Sequence, residues 1–275
     1  RFRLPWHSLR PMLVYALPLL LMGLAGSTNE MMARAALRHW MPAHLYPHQH
    51  NDAVLGIFGA CYKLSIFMSL GVQAFRYAAA PFFFAQAQER HAPTLLSDVM
   101  HWFIVVACFL LFAVSANLDL LGHMLLRKAA YRTALPIVPY LLLAYLLLGV
   151  YYNLSVWFKL TDRTLYGGWL TSLGAAVTLV LNMLLIPRIG YWGSVWATLA
   201  SCATMCSFCY YLGQRHYPVP YHLGKGLGYI IGTMALVLLT RQINYSSFEQ
   251  AVVINALWTL LFALSLYLLN ARSKA

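Results

Sequence analysis

The sequence predicts an all-α integral membrane protein with about eight transmembrane helices. Three observations carry that expectation. Hydrophobic residues make up 61% of the 275-residue chain and charged residues only 9%, where a soluble domain typically carries about a quarter charged. Long apolar runs recur along the whole chain, each near the ~20 residues a helix needs to cross a bilayer. Period-two alternation is absent from them, so membrane-spanning strands are a poor alternative.

The runs follow one another in order. They are Pro11–Leu37, Ala53–Gln88, Leu95–Leu118, Ala134–Phe158, Tyr166–Ile186, Trp192–Gln214, Lys225–Arg241 and Phe248–Leu269. Helix breakers fill the connectors: Pro42 and Pro47 after the first run, Pro93 before the third, Pro187 and Gly190 after the fifth, Pro218 and Pro220 after the sixth. The seventh run is the shortest, and Lys225 and Arg241 at its ends would reach the interfaces by snorkelling. Gly224, Gly228 and Gly232 recur every four residues at its start, which predicts a helix-contact surface. The chain begins at Arg1, and no small-residue cleavage site follows its first run, so an excised fragment is expected rather than a signal peptide.

Charge argues against one partner class. The formal charge is +12, but the 19 Lys and Arg are scattered over short connectors instead of forming a block. That pattern suits loops at membrane surfaces rather than nucleic acid. With eight spans, ten connector cations, Lys159 among them, fall on the side of the termini and seven on the other. The bias predicts cytoplasmic termini. The five Cys lie inside apolar runs, as packing residues rather than a disulfide framework.

Within the membrane the ionisable residues are the informative ones. Lys63 falls near the middle of the second run, where a charge costs about 2.5–3.5 kcal/mol and is retained with a partner or a watery cavity. At about 100° per residue, Tyr62, Ser65, Ser69, Gln73 and Arg76 share a sector of roughly 80°, with Lys63 just outside its edge. That stripe reads equally as a cavity lining or as a packing seam. Glu30 and Arg34, four apart, can pair along one helix face, either as a self-neutralised edge pair or as a guanidinium held ready for an anion.

Sites of other kinds are not indicated. His39, His44, His48 and His50 make the first connector histidine-rich, but irregular spacing and prolines argue against a metal site, and Cys202, Cys206 and Cys209 have no acid or histidine nearby in their run. No phosphate-binding loop, nucleophile elbow or zinc-protease motif occurs. A non-enzymatic chain with neither cofactor nor metal is the expectation.

Two stretches give the chain a relative. Gly56-Ile-Phe-Gly-Ala-Cys-Tyr-Lys63-Leu-Ser, continuing to Gln73-Ala-Phe-Arg76 and Pro81-Phe-Phe-Phe84, is the first; Asn182-Met-Leu-Leu-Ile-Pro187-Arg-Ile-Gly190-Tyr-Trp-Gly193 with Ala197-Thr198 is the second. Together with Leu17-Pro18 and the region from Asn29-Glu30 to Arg34, they resemble the polysaccharide-transporter branch of the multidrug/oligosaccharidyl-lipid/polysaccharide (MOP) flippase superfamily. Such proteins have about fourteen helices, in two lobes of six with two more at the end. The resemblance implies that this chain corresponds to helices seven to fourteen. Residues 1–220 would then form a six-helix lobe and residues 221–275 two additional helices, with an N-terminal lobe of the same protein as partner.

The implied function is alternating access for a polyprenyl-diphosphate-linked oligosaccharide, in lipopolysaccharide or O-antigen biosynthesis at the bacterial inner membrane. Arg34, Lys63 and Arg76 would be cavity cations for the diphosphate, Glu30 would tune Arg34, and Gln73 and Tyr62 would meet sugar. Relatives often carry an acid just before the Pro-Phe-Phe-Phe run, where this chain has Ala80. The alternatives are a multidrug or metabolite exporter, disfavoured by the scarcity of intramembrane acids, and a membrane-embedded polysaccharide polymerase or acyltransferase. Those enzymes would present a large loop of convergent His, Asp or Arg.

Overall fold

The computed structural model describes Leu20 and residues 34–42, 45–46, 51–86, 91–126, 129–243 and 248–272. Among these residues every regular element is helical. Residues 34–40 are helical, and α1 (Asn51–Leu64) then runs into α2 (Ile66–Gln86). Next come α3 (Ala92–Ala116), a short α4 (Leu118–Leu125) and a 3-10 segment, Ala129–Ile137. α5 (Val138–Leu154) continues into a five-residue α6 (Val156–Leu160), and α7 (Leu165–Ile189), α8 (Tyr191–His216), α9 (Leu223–Thr240) and α10 (Phe248–Arg272) complete the order.

Six helical stretches among the described residues are long and apolar enough to cross a membrane, and the bent α1–α2 pair taken as one span makes seven. This pattern suggests a multi-pass membrane protein. Seven of the expected runs are thereby accounted for as helices. The first, Pro11–Leu37, lies outside the described residues apart from Leu20 and residues 34–37. The shortest run forms the 18-residue α9.

The core is organised around α5. Its sequence from Val138 to Tyr152 carries no charge, and it buries residues on all sides, including Leu141, Leu142, Tyr145, Leu146, Gly149 and Tyr151. A helix apolar all round is a central one. It packs against α2, α3 and α8. At Gly149 a Cβ would collide with the Phe103 ring of α3 and stand 2.9 Å from the Val72 side chain of α2, so the absence of a side chain lets three helices meet. α9 and α10 both pack on α3, where Asn117 Nδ2 donates to Thr259 Oγ1 of α10 at 3.3 Å.

α7 lies on the outside, against α8. It buries the stripe Gly167, Leu170, Thr171, Gly174, Thr178, Asn182 and Ile186, while Trp169, Val180, Met183 and Leu184 are exposed. Small and hydroxyl-bearing residues allow helices to approach closely, and Ser201 Oγ of α8 donates to the Gly174 carbonyl at 2.8 Å. The second family-like stretch forms the turn of this hairpin. Gly190 has φ +61, a conformation that favours glycine. A Cβ on Gly193 would lie 2.6 Å from the Leu185 backbone.

The glycine series on α9 behaves differently from expectation. Gly224, Gly228 and Gly232 are exposed, and a Cβ on any of them meets nothing within 4 Å. The glycine that makes contact is Gly226, whose Cβ would lie 3.0 Å from Ile104. The predicted contact surface is therefore not used among the described residues, because α9 turns another face to α3.

Overpacking a close helix contact typically costs about 1–3 kcal/mol. Gly149→Ala and Gly193→Ala should each lower the unfolding midpoint of the full chain in detergent. Gly228→Ala, with open space around it, should leave the midpoint unchanged or raise it slightly through helix propensity. Thermal scans of the three variants distinguish these outcomes.

Candidate functional site

The second predicted run does not fold as one straight helix. α1 and α2 meet at Ser65 with a bend of 42°, and the Ser65 N–H bonds back only three residues, to the Tyr62 carbonyl at 3.0 Å. Ser65 is fully buried, and its hydroxyl has no partner among the described residues. Kinks of this size have local causes such as serine and a tightened turn. The bend separates the residues that a straight-helix projection placed on one stripe.

Tyr62 is buried, its ring against Phe58 and Tyr145, and its hydroxyl accepts a hydrogen bond from Tyr145 at 2.8 Å. Arg34 is exposed and holds its guanidinium 5.4 Å from the Tyr62 ring centre, within cation–π range. Lys63, in the last turn of α1, is exposed. Gln73 is exposed, and its Nε2 donates to Ser69 Oγ at 3.2 Å. Glu30 lies outside the described residues, as do His44, His48 and His50. The structure thus brings Arg34 and Tyr62 together near the α1 end, and it sets Arg76 apart from them.

Arg76 lines a cleft with Phe75, Ala79, Ala80 and Phe83 of α2, Tyr152 and Asn153 of α5, and Val156 and Lys159 of α6. The cleft holds about 400 Å³ of empty space, part of it open to the outside. The Arg76 guanidinium stands 5.0 Å from the Tyr152 ring centre and 5.3 Å from that of Tyr77. Two cations therefore face one partly enclosed space whose lining includes no carboxylate. Ala80 sits in this lining as well.

Local structure explains how Lys159 arrives there. The helix interrupts at Ser155, whose Oγ donates to the Tyr152 carbonyl at 2.7 Å, and then resumes for one turn as α6. Thr161 Oγ1 closes that turn on the Trp157 carbonyl at 2.9 Å, and Asp162 adopts φ 55. Sequence reading counted Lys159 as a connector cation. The signal that marks it as part of the span is Leu160, the last apolar residue before the Thr161-Asp162 turn.

Beside the Tyr152 phenol, Asn153 supplies the cleft's remaining polar side chain. It is 4% exposed, and its Nδ2 donates to the Gly149 carbonyl at 3.2 Å. Its Oδ1 is buried with no partner among the described residues, a condition that typically costs about 1–3 kcal/mol. A second cleft, of about 490 Å³, lies between α2 and α3 and is lined by Met68, Gly71, Val72, Phe75, Trp102, Phe103, Val106, Ala107 and Leu110. Every one of these residues is apolar. Phe75 lines both clefts, so the cationic and apolar spaces meet at one ring.

The cysteines behave as packing residues. Cys202 and Cys209 are buried, and the Cys206 thiol donates to the Leu147 carbonyl of α5 at 3.0 Å. Among the described residues no three His, Cys, Asp or Glu side chains converge as metal ligands would. Outside the spans, Tyr46 packs its ring on Tyr191, 5.6 Å between centres, beside the Gly190 turn. Burial, with Tyr191 second, pushes the Tyr46 hydroxyl up to about 12.

No protein-family model, curated protein or solved structure gives a significant match to this chain.

A shared hydrogen bond makes paired substitutions non-additive. Tyr62→Phe and Tyr145→Phe should each cost about 1 kcal/mol, and the double variant should cost less than their sum in denaturation experiments. A raised folded-state value for Tyr46 means its neutral form is favoured by folding. That contribution is present below pH 10 and is lost as pH rises through about 12. Wild type should therefore lose more stability than Tyr46→Phe across that window, measured by unfolding at stepped pH.

Proposed function

We propose that this chain is a lobe of a membrane transporter that carries a polyprenyl-diphosphate-linked oligosaccharide across the bacterial inner membrane by alternating access. Its long apolar helices support residence in a bilayer, with exposed side chains such as Trp169, Leu260 and Tyr267 facing acyl chains. The observation that carries the reading is the cleft where Arg76 and Lys159 meet without a carboxylate. It adjoins, at Phe75, a cleft lined only by apolar residues. A diphosphate and the prenyl chain attached to it would find neighbouring places of matching chemistry.

Electrostatics favours this over export of organic cations. In a partly desolvated space two like charges repel, and an anion placed between them relieves that repulsion. The guanidinium offers a planar fork to phosphate oxygens, and the ammonium adds a compact charge. The breaks at Ser65 and Ser155 border the cleft's helices, and each is a place where a helix can pivot without losing a long run of backbone bonds. In this reading an N-terminal lobe of the same protein faces the cleft, the two lobes rock about it, and the termini of this chain lie in the cytoplasm.

The test uses the full chain in nanodiscs with farnesyl diphosphate as probe. A charge-assisted contact is worth about 1.5–3 kcal/mol, and each 1.4 kcal/mol is about tenfold. Arg76→Ala and Lys159→Ala should each weaken binding by about tenfold or more. Unchanged binding in both variants, with loss only in Arg34→Ala or Lys63→Ala, would move the anion site to the α1 end and sink the assignment of this cleft.

A further inference from the structure

The cleft contains more than charge. Asn153 is almost entirely buried at its lining, yet its side-chain oxygen has no hydrogen-bond partner among the described residues. The amide orientation is fixed by chemistry: only Nδ2 can donate to the Gly149 carbonyl, 3.2 Å away, and that leaves Oδ1 as a pure acceptor. Arg76 and Lys159 are donors only, so the cleft pairs two anion-seeking cations with one acceptor that wants an O–H or N–H. A ligand satisfying all three carries an anion and, within a few bonds of it, a hydrogen-bond donor.

That requirement separates ligand classes. A fully ionised prenyl diphosphate or diacylglycerol phosphate, or an alkyl ester of either, has no O–H or N–H beside the phosphate. A glycosyl diphosphate places sugar hydroxyls next to the phosphate. We infer that Asn153 is a specificity residue that accepts a hydrogen bond from the sugar directly attached to the diphosphate. This rests on the reading of the Arg76–Lys159 cleft as the anion site. The Asn153 oxygen is sealed in this structure, so a sugar reaches it only when side chains lining the cleft move aside. The hydrogen-bond donor then recovers a buried acceptor that is unsatisfied without ligand, and buried polar groups left unpaired are the strongest source of such discrimination.

The test compares the methyl ester of farnesyl diphosphate with its glucosyl ester, two diphosphate diesters of equal charge, using the full chain in nanodiscs. Wild type should bind the glucosylated probe about tenfold more tightly, the effect of one hydrogen bond to a buried acceptor. Asn153→Leu should bind both probes equally. Asn153→Asp keeps an acceptor and adds a negative charge near the diphosphate. It should weaken both probes but retain the preference, which also keeps the test decisive if the Leu variant does not fold. Arg76→Ala should weaken both probes to the same degree and leave the preference intact. No preference in wild type, or a preference that survives Asn153→Leu while Arg76→Ala weakens both probes, overturns the role of Asn153 and leaves the anion cleft standing. Equal binding of wild type, Arg76→Ala and Lys159→Ala to both probes overturns the cleft itself.

Discussion

Three helices converge where α5 has no side chain. At Gly149 the backbone of α5 comes within reach of Val72 on α2 and Phe103 on α3. The Phe103 ring in turn lies 4.7 Å, centre to centre, from that of Phe75. Protein interiors are close-packed, so such a contact leaves little freedom to shift. Phe75 is the ring shared by the two clefts, and the Gly149 carbonyl anchors the amide of Asn153. The positions of the cationic space, of the apolar space beside it, and of the Asn153 amide all follow from this junction.

Polar chemistry in this apolar frame depends on interrupted helices. A continuous helix satisfies its own backbone, and apolar surroundings penalise any group it leaves open. At Ser155 the side chain closes one such gap on the Tyr152 carbonyl, and α6 then carries Lys159 to the cleft. At Ser65 the bend directs α2 along the cleft while Tyr62 stays in the core with Tyr145. The α7–α8 hairpin solves another problem. Its stripe of small residues and its turn at Gly190 and Gly193 give α8 a tight companion, and α8 packs against α5 from the side.

Much of the architecture was legible in the residues, and the exceptions are instructive. Seven apolar runs correspond to helices or helix pairs, because run length and breakers are local properties. The glycines of the second family-like stretch lie at a turn and a close contact, as their placement beside Pro187 hinted. Lys63 was read as a mid-span charge, and it stands exposed in the last turn of α1, two residues before the bend at Ser65 that divides the span. The spacing of Gly224, Gly228 and Gly232 matched a contact surface, but the face that meets α3 is the one carrying Gly226. Lys159 was counted with the connectors because the fourth apolar run ends at Phe158, although the helix that resumes after Ser155 continues to Leu160. Of the singled-out site residues that are described, Arg34, Tyr62, Lys63, Gln73 and Arg76, Arg76 alone lines this cleft.

What the sequence determined by itself is that the chain is built from long apolar helices suited to a bilayer. That is a sum over neighbouring residues, and hydrophobicity accumulates along the chain regardless of what lies across from it. Tertiary structure decided which cations share a space. One residue of advance rotates a side chain by about 100° around a helix, and a bend of 42° redirects everything beyond it. Arg76 and Lys159 are 83 positions apart in the chain, so no local pattern joins them. Only the meeting of α2, α5 and α6 brings their charges to the same cleft.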